Sequence, residues 1–123
     1  MQNLDQIRAA KADQLCKPRE GQTKPAFYRS DVASIPALIL TNGLLCAAAY
    51  CCEEGKDARK GMKEVFNGIT AHLLERGIAT VAVGRDLPGD RSWRNSLALQ
   101  RATAEALSLL TYLKRYSVPK SKE

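Results

Sequence analysis

Residues 34–52, SIPALILTNGLLCAAAYCC, are a long apolar stretch that constrains what the chain can fold into. A membrane helix needs ~20 predominantly apolar residues, whereas Thr41, Asn42 and Gly43 interrupt this run in its middle and acidic residues follow it. Drawn as one helix, the stretch has apolar side chains on all sides, which is typical of a helix buried in a protein core. We therefore expect a central apolar helix and no membrane span.

The flanking residues indicate where this central helix begins and ends. Ser34 can act as the N-cap acceptor, Pro36 suits the first turn, and Gly55 can end the helix in a left-handed conformation. Gly43 inside a helix costs ~1 kcal/mol relative to Ala, so we expect that it allows a neighbouring helix to approach closely. On that hypothesis Gly43→Leu would overpack the core.

The four cysteines do not form a metal-binding pattern. Cys46 and Cys51 lie roughly 140° apart on a helix, Cys51 and Cys52 point in different directions, and the chain has no CxxC motif and a single histidine. We therefore predict buried, unreactive thiols, with no metal and no cofactor.

The remaining segments predict an all-α fold, a compact single-domain helical bundle over residues 1–123. Asn3 and Gln6 match a capping box, which indicates a first helix that runs to about Cys16. Further helices are predicted over residues 27–33, over 57–76 with Gly77 as the stop, and from just after Asp90 to about Ser117. Residues 78–83 are interpreted as a buried linker or helical turn rather than a strand. Residues 17–26 and 84–90 are predicted exposed loops, and residues 1–2 and 118–123 flexible ends.

Charge indicates a polyanionic partner, because 19 basic and 13 acidic residues leave a net charge of +6. On the last predicted helix Arg94, Arg101 and Arg115 are seven or fourteen residues apart, so they form a stripe with Lys114 beside it. The alternative is an ordinary solvated helix face, with Glu105 among its cations. The complete set of candidate residues for contact with a polyanion is Arg94, Arg101, Lys114, Arg115, Lys56, Lys60, Lys63, Arg8 and Lys11.

No catalytic group stands out in the sequence. His72 lies at the edge of an apolar helix face, which favours a partly buried structural role over a general base. The first residues, MQNLDQIRAAK, match neither a signal peptide nor a lipidation site, so we expect a cytoplasmic protein with reduced thiols.

Three blocks of the sequence resemble a known family. They are NLDQIRAAKA near the start, YRSDVASIPALILTNGL at Tyr28 to Leu44, and RATAEALSLLTYLKRYS at Arg101 to Ser117. In this order they are similar to the small subunit of the type III-B CRISPR RNA-guided effector, the Cmr complex. Two positions depart from the pattern: Leu99 replaces an aromatic residue, and residues 78–93 replace a more regular helical stretch.

The resemblance implies a non-catalytic all-α subunit. Copies would stack into a short filament beside the backbone filament that holds the guide RNA, with target RNA between the two. The partners implied are further copies of the chain, the backbone and large subunits of the complex, guide RNA and target RNA. Two alternatives stay open: a helical adaptor that binds only proteins, and a hydrolase centred on His72.

Overall fold

The computed structural model describes residues 3–120 and contains six α-helices and two 3-10 helices, with no strand in that range. The α-helices are α1 (Leu4–Cys16), α2 (Arg29–Ala33), α3 (Ile35–Asn42), α4 (Leu44–Cys51), α5 (Lys60–Glu75) and α6 (Ser96–Tyr116). The 3-10 helices are Asp57–Arg59 and Gly84–Gly89. The predicted all-α fold is confirmed. Of the ends expected to be flexible, residues 1–2 and 121–123 lie outside the described range.

Helix α1 begins and ends as its sequence predicts. The Asn3 side chain accepts a hydrogen bond from the Gln6 backbone N–H at 2.8 Å, and the Gln6 side chain accepts one from the Asn3 N–H at 3.0 Å. This reciprocal pairing is the capping box, and it satisfies two donors that a helix N-terminus otherwise leaves free. Helix α1 packs against α6 and contributes Ala12 and Cys16 to the core.

The central helix is two helices, and the prediction of one continuous helix is wrong. Gly43 separates α3 from α4 with φ 88° and ψ 160°, a region that essentially only glycine adopts. Its N–H donates to the carbonyl of Ile39 and closes α3, while its carbonyl accepts from the N–H of Ala47 and opens α4. A Cβ at Gly43 would meet no atom within 4 Å, so the expected close helix crossing is also wrong.

The two short helices bury one side each and leave apolar residues on the surface. Ile39 and Leu44 are buried, whereas Leu40 is 73% exposed. Ser34 has helical backbone angles and no capping hydrogen bond, so the predicted N-cap role is wrong. Gly55 has a φ of 77°, which confirms its left-handed conformation, but the prediction that it ends the helix is wrong, because α4 ends at Cys51 with Cys52 as its C-cap.

Gly43→Ala should destabilise the fold by ~1–3 kcal/mol, the usual cost of holding a residue with a side chain in this backbone region. The mechanism is backbone strain rather than overpacking, because the position is exposed. Gly89→Ala is the matched control, since Gly89 has no positive φ and open space around its Cα. Urea denaturation should show a lowered midpoint for the first variant only. Equal midpoints would contradict the assigned strain.

All six α-helices contribute buried residues to the core, and the segment between α5 and α6 packs onto it. Gly77 ends the α5 helix with φ 72°, as predicted. The prediction that residues 84–90 are an exposed loop is wrong: Leu87 is fully buried. Gly84 packs so closely that a Cβ there would lie 2.7 Å from the Cys52 sulfur.

Helix α6 begins at Ser96, later than the sequence suggested. Its N-cap is Asn95, whose side chain accepts from the Ala98 N–H at 2.9 Å. Residues 91–94 form turns, so Arg94 precedes the helix.

Candidate nucleic-acid interface

Arg8 takes part in an ion network that joins three helices. Its guanidinium donates two hydrogen bonds to the carboxylate of Glu105, from Nε to Oε2 at 2.8 Å and from Nη2 to Oε1 at 2.7 Å. His72 Nε2 lies 2.8 Å from the same Oε2. The side chains of Arg8, Glu105 and His72 are 20%, 7% and 1% exposed. Arg8 therefore serves the packing of α1 on α5 and α6.

The interpretation of Glu105 as part of a solvated helix face is wrong. Hydrogen bonding to Arg8 lowers the pKa of Glu105 from 4.5 to about 2, against the opposing effect of burial and with help from His72. The same hydrogen bond raises the pKa of Arg8. Sequence spacing could not reveal this contact, because Arg8 and Glu105 are 97 residues apart.

His72 is enclosed by the protein and engaged by Glu105. With its side chain 1% exposed, a substrate cannot reach the imidazole in this structure. The observed position is that of a structural histidine, and it argues against a hydrolase centred on this residue.

Lys11 is also engaged within the fold. Its Nζ lies 3.0 Å from a carboxylate oxygen of Glu75, and its side chain is mostly covered. Among the cations of α1 that were candidates for RNA contact, both therefore have carboxylate partners inside the chain.

The lysines near α5 lie in a mixed electrostatic setting. Lys56 is exposed in the connection before the first 3-10 helix, and Lys63 is half-buried. Lys60 lines a groove that contains two further cations and two carboxylates, namely Arg19, Lys24, Glu20 and Glu64. These carboxylates reduce the attraction of that surface for a polyanion.

The predicted arginine stripe is interrupted. Arg94 lies before the cap residue Asn95, so the expectation that it shares a helix with Arg101 and Arg115 is wrong. The last two are exposed on α6, fourteen residues or ~21 Å apart at 1.5 Å per residue.

A basic groove at the C-terminal end of α6 brings together three cations from different parts of the chain. The groove has a volume of about 760 Å³ and is lined by Arg29, Pro36, Leu107, Leu110, Thr111, Lys114 and Arg115. Its lining contains no carboxylate. We call Arg29, Lys114 and Arg115 the basic groove cations.

Arg29 is the member of this set that the sequence analysis missed. Its Nη2 donates to the carbonyl of Ser117 at 2.7 Å, and its backbone N–H donates to the carbonyl of Val118 at 2.9 Å. These bonds hold the start of α2 against the end of α6 and place its guanidinium beside Lys114 and Arg115. The sequence feature that could have identified Arg29 is the Tyr28-Arg29-Ser30 triplet, which begins the second of the three blocks that carry the family resemblance.

The groove has the chemistry of a phosphate contact rather than of a catalytic centre. Guanidinium groups bind phosphate oxygens with two parallel hydrogen bonds, and lysine adds a point charge. Phosphate contacts of this kind contribute affinity without reading base identity.

The prediction of buried cysteines is correct at three of the four positions. Cys16, Cys51 and Cys52 are buried, and burial raises the pKa of Cys16 to about 11 and that of Cys51 to about 12. Cys46 is exposed, so the prediction that it is buried is wrong.

Within residues 3–120 no group of three potential ligands could hold a metal ion. No helix in this part of the chain is long and apolar enough to cross a membrane.

Comparisons with known proteins agree with the helical architecture. A family model described as CRISPR-associated protein (Cas_Cmr5) matches residues 4–119. Among solved structures, the chain is similar to the X-ray crystal structure of a CRISPR-associated Cmr5 family protein from Thermus thermophilus. The TM-score is 0.68 at 25% sequence identity, with 94% of this chain and 95% of that chain covered. No match was found among curated proteins. The chain therefore belongs to the Cmr5 family, the small subunit of the type III-B Cmr complex.

Proposed function

We propose that this chain is a non-catalytic subunit that contacts the phosphate backbone of target RNA, or of the guide–target duplex, through its basic groove. Copies of the chain stack into a minor filament in the assembled complex, beside the backbone and large subunits, and act in the cytoplasm in antiviral defence. The observation that carries the RNA contact is the convergence of Arg29, Lys114 and Arg115 on one groove without a lining carboxylate.

Contact with phosphates alone is sufficient for a subunit of an RNA-guided complex. In RNA-guided recognition, base pairing between guide and target reads the sequence, and the protein recognises the backbone and shape. A subunit that only neutralises phosphates needs a suitable arrangement of cations, and it needs no base-specific pocket. The net charge of +6 is consistent with this role.

The alternative is an adaptor that binds only protein partners. Leu40 and Leu97 are largely exposed, and an apolar groove lies beside Gly43 and Leu44. Exposed apolar patches are typical of protein interfaces. This surface favours contact with neighbouring subunits. Its groove shares Leu107 with the basic groove and contains none of the basic groove cations.

Replacing Arg29, Lys114 and Arg115 with alanine should weaken target-RNA binding by the reconstituted complex. Removing one cation that neutralises a phosphate of a single strand lowers the slope of log affinity against log salt by ~0.7, so removal of all three should make the slope shallower by about 2. Unrelated target sequences should lose affinity to a similar extent, because the groove reads no bases. The measurement is RNA binding by the complete complex over a salt series.

The control removes the same charge elsewhere, with Lys56, Lys60 and Lys63 replaced by alanine. We expect this variant to keep a slope close to that of the unmodified complex, because carboxylates line the groove beside Lys60. Thermal melting and subunit content should be measured for both variants, since Arg29 also bonds the Ser117 carbonyl. A normal slope in the basic groove variant, with correct assembly, would favour the adaptor.

A further inference from the structure

Asp90 organises the segment between α5 and α6 through a set of short hydrogen bonds. Its Oδ2 accepts from the Thr80 N–H at 2.7 Å, and its Oδ1 accepts from the Thr80 hydroxyl at 2.8 Å and from the Ser92 N–H at 2.9 Å. The residue is 6% exposed. One carboxylate therefore joins the start of the segment to the turn that precedes α6.

A second set of contacts fixes the same turn to the core. The indole Nε1 of Trp93 donates to the carbonyl of Leu87 at 2.7 Å, and the Asp90 N–H donates to the same carbonyl at 3.1 Å. Leu87 is fully buried and Trp93 packs against the core. The turn of residues 90–94 is thus held at both ends.

This turn presents two cations that the fold itself does not use. Arg91 and Arg94 are exposed on either side of Trp93, and neither forms an ion pair with a carboxylate among residues 3–120. By contrast, Arg19 and Arg59 each pair with a glutamate. A hydrogen-bonded turn that carries two exposed arginines therefore lies next to the N-terminus of α6.

The acid in this turn forms no ion pair with either arginine among residues 3–120. Both oxygens of Asp90 instead accept hydrogen bonds from Thr80 or Ser92. Burial opposes ionisation, but the hydrogen bonds from Ser92 and Thr80 outweigh it and lower the pKa of Asp90 to about 2.

We propose that Asp90 is a positioning residue, which holds Arg91 and Arg94 as a second contact for the phosphate backbone of target RNA. The proposal rests on the proposed function and adds a site that the basic groove does not contain. From Ser96 to Lys114 helix α6 rises by about 27 Å at 1.5 Å per residue, so the two contacts lie at opposite ends of α6. Two contacts at the two ends of one helix would set the path of an extended strand.

Preorganisation explains why an acidic residue would help bind an anion. Ordering a free arginine on binding costs affinity, and a turn that is already ordered avoids part of this cost. Guanidinium groups on such a turn suit the bidentate geometry of phosphate. Asp90 should therefore favour RNA binding by ordering the turn, although its negative charge alone would repel the phosphates.

Asp90→Asn tests this proposal, because loss of the charge and loss of the ordered turn should change RNA affinity in opposite directions. The Thr80 and Ser92 N–H groups donate to different oxygens of Asp90. Asn replaces one of these oxygens with an NH2 group, which is a donor, so one of the two N–H groups loses its acceptor. Removal of a negative charge alone would tighten RNA binding, whereas loss of the ordered turn should weaken target-RNA binding by the complete complex about threefold to tenfold. Asp86→Asn is the matched control, because Asp86 is exposed on the same segment and its carboxylate only approaches Arg85 at 3.9 Å. We expect the control to bind as tightly as the unmodified complex or more tightly.

A double-mutant cycle separates positioning from general stability. Asp90→Asn should weaken binding in the natural background and have no effect when Arg91 and Arg94 are already alanine. A purely structural role of Asp90 would weaken binding equally in both backgrounds. Thr80→Val provides a second, charge-neutral variant that removes one of the Asp90 hydrogen bonds. It should weaken binding in the same direction and keeps the test decisive if Asp90→Asn does not fold.

Several results would overturn the proposal. Tighter binding by Asp90→Asn, or an equal loss in both backgrounds, would exclude the positioning role. If Arg91→Ala with Arg94→Ala binds RNA normally while the basic groove variant does not, the second contact is wrong and the proposed function stands. If neither set changes RNA binding, the proposed function fails as well. If the arginine pair alters subunit assembly and leaves RNA binding unchanged, the turn contacts a protein, which also overturns the proposal.

Discussion

Glu105→Ala should destabilise the folded chain by about 3–5 kcal/mol, the range observed when one partner of a buried ion pair is removed. The variant would leave the Arg8 guanidinium without its two acceptors and His72 without a partner inside the protein. An uncompensated buried charge costs more than the pair itself contributes, because its hydration is lost and nothing replaces it. The three helices joined by this network should separate more easily, and urea denaturation should show a much lower midpoint.

Glu75→Ala is the appropriate control for this prediction. Glu75 pairs with Lys11, so it joins α5 to the same N-terminal helix, but its own side chain is 59% exposed. An ion pair with one exposed partner contributes less than a buried one, so this variant should lose much less stability than Glu105→Ala. If the two variants lose similar stability, the buried network is not the main electrostatic link between the helices.

Acid should destabilise the fold in a defined pH range, with an effect of several kcal/mol. The pKa of Glu105 falls from 4.5 in the unfolded chain to about 2 in the folded one, and that of Asp90 falls from 3.8 to about 2. A lowered pKa means that the unfolded chain binds protons more readily. Stability from these groups is therefore complete above pH 4.5 and is lost progressively as the pH falls towards 2.

Glu105→Gln is the variant that checks this assignment. It should be less stable at neutral pH, and its stability should change less between pH 4.5 and 2, because one titrating group is gone. The measurement is the free energy of unfolding by urea at a series of pH values. A parallel pH dependence in both proteins would show that other carboxylates cause the acid sensitivity.

The cations of this chain divide into those that stabilise the fold and those that remain available. Arg8 and Lys11 belong to the first group because carboxylates on other helices hold them. Arg29, Lys114 and Arg115 line a groove without acids, so no carboxylate of that lining pairs with their charges, although Arg29 also bonds the Ser117 carbonyl. The composition alone cannot separate these groups, because both contribute equally to the net charge.

Local chemistry made several parts of the fold predictable from the sequence. The capping box of Asn3 and Gln6 is a contact between residues three positions apart, so its residue types suffice to indicate it. The same holds for Gly77, whose left-handed conformation follows the C-cap of α5. The apolar periodicity of α5 also identified its buried face, which includes Phe66.

The helix break at Gly43 could not be predicted from the neighbouring residues alone. A glycine within an apolar run is compatible with a close helix crossing and with a backbone of positive φ. Both depend on the absence of a Cβ. The surroundings decide between them, since only the tertiary structure shows that the position faces open space. The early start assigned to α6 has a similar origin, because Asp90 bonds Thr80 and Ser92 rather than capping the helix.

The functional surfaces depended most on the tertiary structure. The sequence determined an all-α chain with surplus positive charge and a family resemblance, because composition, periodicity and motif order are properties of the chain itself. It did not determine that Arg29 would lie beside Lys114, or that Glu105 would be buried against Arg8. Those pairs are separated by most of the chain, and long-range contacts arise only when packing of the apolar faces sets how the helices lie against one another.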